Sequence, residues 1–110
     1  MKIQFEKKGN VKIFHISGKL DSKNSLVLEE DLNKTIESGE IYLAIDFEKL
    51  NYISSAGLRV LLSVAKTLNQ QNGKVKLANL QNSVKEVFDL TGFTQIFEIF
   101  PNLEECIKSF

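Results

Sequence analysis

The chain has one cysteine and one histidine, and these two scarcities remove whole classes of chemistry. Cys106 has no second thiol to pair with, so no internal disulfide forms and a reducing compartment, the cytoplasm, suits the chain. One histidine with one cysteine does not assemble the nitrogen and sulfur ligands of a zinc centre, so no metal site is expected. His15 falls inside an alternating stretch, far in sequence from any helix start, and Gly-x-Ser-x-Gly is absent. A serine nucleophile would therefore have no base held beside it. Charge of one sign is not in surplus either: 14 Lys and Arg face 14 Asp and Glu, which argues against direct nucleic-acid binding. Also missing are the roughly 18-residue apolar run of a membrane span, the apolar core of a secretory signal and the Gly-x-x-x-x-Gly-Lys-Ser/Thr phosphate loop. There is no internal repeat, low-complexity tract or linker. The 110 residues amount to one domain, long enough to bury its own core. No cofactor, metal or membrane partner is implied, and an enzyme is disfavoured for want of a base.

What is present is a regular succession of strand and helix patterns. Ile3-Gln4-Phe5 alternates weakly, Gly9-Asn10 signals a turn, and Val11 to Ser17 alternates again, which predicts an antiparallel hairpin. Gly18 breaks the pattern, and Lys19 to Ser25 reads as a polar loop. A helix is predicted from about Ser25 to Ser38, with Leu28, Leu32 and Ile36 on one face and Gly39 after its end. Ile41 to Phe47 is apolar enough for a strand covered on both sides. Glu48 to Ser55 reads as a loop, followed by a helix to about Asn69 with Leu58, Leu61, Leu62, Ala65 and Leu68 as its apolar stripe. Lys74 to Ala78 is a strand. Asn82-Ser83 opens a short helix with Val84, Val87 and Phe88 inward, stopped at Gly92. Phe97 to Phe100 is a last strand before Pro101. Asn102 caps a final helix whose stripe is Leu103, Cys106, Ile107 and Phe110, so Cys106 is a core residue.

This order predicts an α/β fold: a mixed sheet of about five strands, with an opening antiparallel hairpin, the rest largely parallel through right-handed crossovers, and about four helices. In such sheets function gathers at the carboxyl ends of the strands. Two loops qualify there, Gly18 to Ser25 and Glu48 to Ser55, and they place Asp21, Asn24, Ser54 and Ser55 on one rim. Asp46 is a further carboxylate that could lie near Ser55.

Ser54 and Ser55 stand where a strand passes into a helix. A hydroxyl there has two open roles: it caps the orphan N–H groups of the first turn, or it accepts a phosphoryl group that the helix dipole tolerates. Capping is the commoner role. Gly57, in the first helical turn, costs about 1 kcal/mol relative to alanine, which suggests that something, a partner protein for instance, approaches the backbone closely. Arg59 is either a contact for that partner or an ordinary exposed arginine.

The run Leu43-Ala44-Ile45-Asp46-Phe47 followed by Leu50-Asn51-Tyr52-Ile53-Ser54-Ser55-Ala56-Gly57-Leu58-Arg59-Val60-Leu61-Leu62 resembles the signature of the STAS domain, and within it the bacterial anti-sigma factor antagonists. Gly18-Lys19-Leu20-Asp21, Asn72-Gly73-Lys74-Val75 and Val87-Phe88-Asp89-Leu90-Thr91-Gly92-Phe93 resemble other elements of that family, so the likeness covers essentially the whole chain. The resemblance implies a partner-switching regulator of transcription. Unphosphorylated, it would bind an anti-sigma factor that is also a serine kinase and so free the sigma factor. Phosphorylation would end the complex, and a serine phosphatase would restore it. The family's phosphorylated serine falls on Ser55, with Ser54 as the second candidate. Asp21, Asn24, Ser54, Ala56, Gly57 and Arg59 are the implied partner contacts, and the free chain is expected to be a monomer. Ser54 stands where the family carries Asp, and Arg59 where it carries Gly. The alternative implied by the same resemblance is a STAS subunit that is never phosphorylated and serves as a docking piece of a larger assembly, such as a transporter or a stress-sensing complex.

Overall fold

Gly9, at φ 59°, turns the first strand back on itself. The computed structural model describes every residue from Met1 to Phe110. It runs β1 (Lys2–Lys8), β2 (Val11–Leu20), α1 (Ser22–Glu37), β3 (Tyr42–Ile53), α2 (Ser55–Gln70), β4 (Lys74–Ala78), α3 (Asn82–Thr91), a 3-10 turn at Phe93–Gln95, β5 (Glu98–Phe100) and α4 (Leu103–Lys108). The five strands lie in sequence order in one sheet. β1 pairs antiparallel with β2, and all later pairs are parallel. The expected mixed α/β sheet with four helices is thus the observed one. No helix is long and apolar enough to cross a membrane.

The helices divide unequally between the two faces. Leu28, Leu32 and Ile36 of α1, Leu58, Leu61, Val64 and Leu68 of α2, and Val84 and Phe88 of α3 pack with Phe14, Ile16, Leu43, Ile45 and Phe47 of the sheet into one large core. Each fully buried Leu or Phe there contributes roughly 1.5–3 kcal/mol. The other face carries a smaller cluster of Val11, Ile13, Ala44 and Ala78, covered by Cys106, Leu103, Ile107 and Phe110 of α4 and its end. Burial pushes the Cys106 thiol up to about 11, against the lowering effect of the Lys76 charge, so it stays an unreactive core group. Lys76 is itself only 3 % exposed. Its Nζ donates to the Ser109 carbonyl at 2.9 Å and to Ser109 Oγ at 3.0 Å, and lies 4.7 Å from the Phe110 ring centre. Those partners compensate the buried charge and tie the last turn of the chain to β4.

The largest departure from expectation is the length of β3. It does not end at Phe47 but runs on to Ile53, so Glu48 to Ile53 is strand and only Ser54 lies between it and α2. Two register shifts explain why alternation hides it. His15 pairs with Asp46 but Ser17 with Lys49, and Gly18 pairs with Leu50 but Lys19 with Tyr52. Each shift inserts one extra residue in β3, a bulge. The apolar spacing therefore changes from Leu43, Ile45, Phe47 to Leu50 and Ile53, all in the same core. Asp46 holds the first bulge: its Oδ1 accepts from the Glu48 N–H at 3.1 Å and from Asn79 Nδ2 at 2.9 Å. Gln81 Nε2 donates to the Glu48 carbonyl at 2.7 Å, and Ser83 Oγ to the Asn51 carbonyl at 3.3 Å. The bulged carbonyls are thereby satisfied from the start of α3. This also corrects the expected opening of α3: its N-cap is Gln81, without a side-chain cap bond, because the Ser83 hydroxyl is engaged on β3. The last strand is shorter than expected, since Phe97 precedes β5 and packs in the main core.

Asp46 therefore sits in mid-strand, among residues of β2 and the end of β4, and is not a neighbour of Ser55. Its Oδ2 is 2.8 Å from His15 Nδ1, and His15 Nε2 faces Glu6 Oε2 on β1. Burial opposes the imidazolium, but the hydrogen bonds it donates to Glu6 and Asp46 and then their charges outweigh it and raise the His15 pKa above its usual 6.5. A folded-state pKa above the unfolded one stabilises fully below about pH 6.5, and the contribution fades as pH rises through the folded value. The urea-unfolding free energies of the wild type and of His15→Gln should accordingly differ most near pH 6 and converge as pH rises through the folded-state pKa.

Candidate functional site

Two helices start side by side along the edge of the sheet formed by the carboxyl ends of its strands, where β2 and β3 stop. Leu20, the last residue of β2, pairs with Ile53, the last residue of β3. The chain leaves each at once into a helix, and the Ser54 N–H donates to the Leu20 carbonyl at 2.9 Å. The predicted loops have shrunk to single capping residues. Asp21 caps α1, its Oδ1 accepting from the Asn24 N–H at 2.9 Å. Its carbonyl accepts from Ser25 Oγ at 2.6 Å, which leaves Ser25 buried inside α1 and not at its start. Asn24 Nδ2 donates back to the Lys19 carbonyl at 2.9 Å. Asp21 and Asn24, both half-buried, thus lock α1 to the end of β2.

The two serines, whose roles were open in the sequence, occupy different positions. Ser54 is the N-cap of α2, with extended backbone, and its Oγ accepts from the Gly57 N–H at 3.2 Å. Ser55 is the first helical residue. It is exposed, and its Oγ takes part in none of the side-chain hydrogen bonds. The dipole of α2 points its positive end at this hydroxyl. One serine is therefore engaged in capping, and its neighbour offers a free hydroxyl to anything that docks on this edge.

Gly57 is buried. A Cβ placed there would lie 2.9 Å from Leu20 Cγ and 3.0 Å from Ile53 Cγ1. The close approach inferred from this glycine is supplied by the chain itself: it lets α2 settle on the ends of β2 and β3. Ala56 is half-buried beside it, and Arg59 is exposed one turn further along. Sequence reasoning had placed Asp21, Asn24, Ser54 and Ser55 on one rim, and the structure gathers them there. It did not foresee the part of Leu20 and Ile53 in supporting that rim. The unexplained glycine at 57 was the available signal. A separate hollow of about 680 Å³ lies around His15, Asp46, Lys49 and Asn79, away from these helix starts.

The family model described as the STAS domain matches residues 2–106. BtrV of Bordetella bronchiseptica, provisionally named an anti-sigma factor antagonist, is 38% identical over 110 residues, spanning 100% of this chain and 95% of that protein. The anti-sigma-B factor antagonist of Bacillus subtilis is 34% identical over 94 residues, 86% of this chain and 85% of that one. Among solved structures, unphosphorylated SpoIIAA, an anti-sigma factor antagonist, superposes with a TM-score of 0.86 at 22% identity, over 98% of this chain and 95% of that one. Its phosphorylated form, from Bacillus, gives 0.78 at 21%, over 98% of each chain. At that identity the likeness is one of fold.

Two substitutions test the local assignments by urea denaturation. Ser54→Ala removes the cap and should cost about 1 kcal/mol. Gly57→Ala gains about 1 kcal/mol of helix propensity but forces about 1–3 kcal/mol of overpacking onto Leu20 and Ile53, so it should come out net destabilising, by about 1 kcal/mol.

Proposed function

The chain belongs to the STAS domain family, and from that membership we propose that it is an anti-sigma factor antagonist, a cytoplasmic partner-switching regulator of transcription and not an enzyme. Unphosphorylated, it binds an anti-sigma factor that is also a serine kinase, and the sigma factor is released. In the kinase reaction Ser55 Oγ forms a bond to the γ-phosphorus of ATP, the bond to the ADP oxygen breaks, and the hydroxyl proton passes to a base of the kinase. A serine phosphatase returns the hydroxyl, with inorganic phosphate as the other product.

The observation that carries this reading is the division of labour between the two serines: the Ser54 hydroxyl is held by the Gly57 N–H, while that of Ser55 is exposed and unbonded. The names of the relatives support an anti-sigma factor as partner. The kinase and phosphatase activities, the choice of Ser55, and the partner contacts at Asp21, Asn24, Ala56 and Arg59 are our inference from membership and position. A phosphoserine adds about −1.5 to −2 charges at neutral pH. At the first position of a helix that charge meets the favourable end of the dipole, whereas inside a closed interface it adds bulk and changes the charge presented to the partner. Phosphorylation therefore acts on the complex and leaves the domain folded. SpoIIAA, which keeps the same fold in its phosphorylated and unphosphorylated forms, is a precedent.

Incubating the chain with the anti-sigma factor kinase encoded in its own genome and with ATP, followed by peptide mass mapping, should place the label on Ser55. Ser55→Ala should abolish labelling, and Ser54→Ala should retain it. Ser55→Asp should weaken partner binding at least about tenfold, as expected for an altered charge in a closed interface, while its circular-dichroism melt stays cooperative. Labelling of Ser55→Ala at the wild-type rate would refute the assignment.

A further inference from the structure

Three cations stand around the edge that holds Ser55 without a counter-ion. Lys19 near the end of β2, Lys23 in the first turn of α1 and Arg59 one turn into α2 are all exposed. None of them takes part in an ion pair, although other lysines of the chain do. The one carboxylate among them, Asp21, is half-buried and already accepts the Asn24 N–H. This edge thus carries three exposed cations beside one carboxylate that is already engaged. The same edge exposes apolar surface: Tyr52, paired across the sheet with Lys19, is 47 % exposed, and Leu26 and Val27 of α1 are 68 % and 50 % exposed. Single exposed apolar residues are ordinary. Here Tyr52 lies across from Lys19, and Leu26 and Val27 follow Lys23 on α1, so apolar residues stand next to cations, as they do in contact surfaces with an apolar centre and a charged rim. Ser55 and Arg59, four residues apart on one helix, also share a face.

We propose that Lys19, Lys23 and Arg59 form a collar that selects an acidic surface on the partner protein, and that a phosphate on Ser55 releases the partner by neutralising the collar, with Arg59 as its counter-ion. The proposal rests on the function assigned above and specifies the charge of the partner and the way the switch acts. Three cations against one carboxylate nearly match the −1.5 to −2 charges of a phosphoserine, so modification takes the edge from attractive to roughly neutral toward an acidic surface. The Arg59 side chain meets the phosphate on its own helix, where a glycine could not.

The test is stopped-flow association of the full chain with the purified anti-sigma factor kinase from the same genome, without ATP, between about 0.05 and 0.3 M salt, a range over which exposed charges become screened. The wild-type association rate constant should fall at least about fivefold across that range, and the Lys23→Gln/Arg59→Gln chain should start about threefold lower with a flatter salt dependence, as steering charges do. A complex whose rate is indifferent to salt and to these substitutions overturns the collar and leaves the functional assignment standing. No complex at any salt overturns the assignment and the collar together. Capture of the chain by vesicles of equal phosphatidylcholine and phosphatidylserine, with no capture by the kinase, overturns the acidic protein partner. In a second arm, phosphoserine is introduced at position 55 during synthesis and titrated by phosphorus NMR. Its second pKa should be lower in the wild type than in Arg59→Gly, and equal values overturn the role of Arg59.

Discussion

β3 has two tasks that a regular strand cannot perform together. It must keep Leu43, Ile45, Phe47, Leu50 and Ile53 in the main core, and it must end level with β2 so that the Ser54 N–H reaches the Leu20 carbonyl. Its two extra residues reconcile these demands, and Asp46 holds the first of them through the Glu48 N–H and Asn79. Asn79 reaches it from a left-handed turn at φ 61°, and Gln81 and Ser83 close the bulged carbonyls. A strand defect, stabilised by polar residues of the one stretch from Asn79 to Ser83, is what delivers the start of α2 to the edge of the sheet.

The candidate functional edge follows from that delivery. Once β2 and β3 end together, α1 and α2 begin together, and each needs its own cap. Asp21 serves one and Ser54 the other. Since Ser54 meets the capping demand of α2, the hydroxyl of Ser55 has no internal partner and lies in solvent at the positive end of the helix. The same geometry draws α2 down until only a hydrogen fits at Gly57 between it and Leu20 and Ile53. The result is a free hydroxyl standing on a rigid support.

Much of the site was legible because its signals are local. The polar residues after each strand, the apolar stripes at helical spacing and the family signature around Ser54 to Leu62 all lie in short windows of sequence. What was misread lay in pairings between distant windows. Glu48 to Ile53 lost its alternation to bulges that exist only against β2. Asp46 looked like a neighbour of Ser55 by closeness in sequence, yet its partners are His15 and Asn79, 31 and 33 residues away. Nothing local to Lys76 signals that it is buried, and only the fold of the chain's end over it makes a buried lysine tolerable.

By itself the sequence determined the order of the elements, the class of the sheet, the family, and the presence of two adjacent hydroxyls at a helix start, because periodicity, capping chemistry and motif spacing act over a few residues. Which hydroxyl caps and which is free, what Gly57 makes room for, and where Asp46 points were decided only by tertiary structure. Each of those depends on how β2 and β3 register against each other, and that register is set by long-range packing.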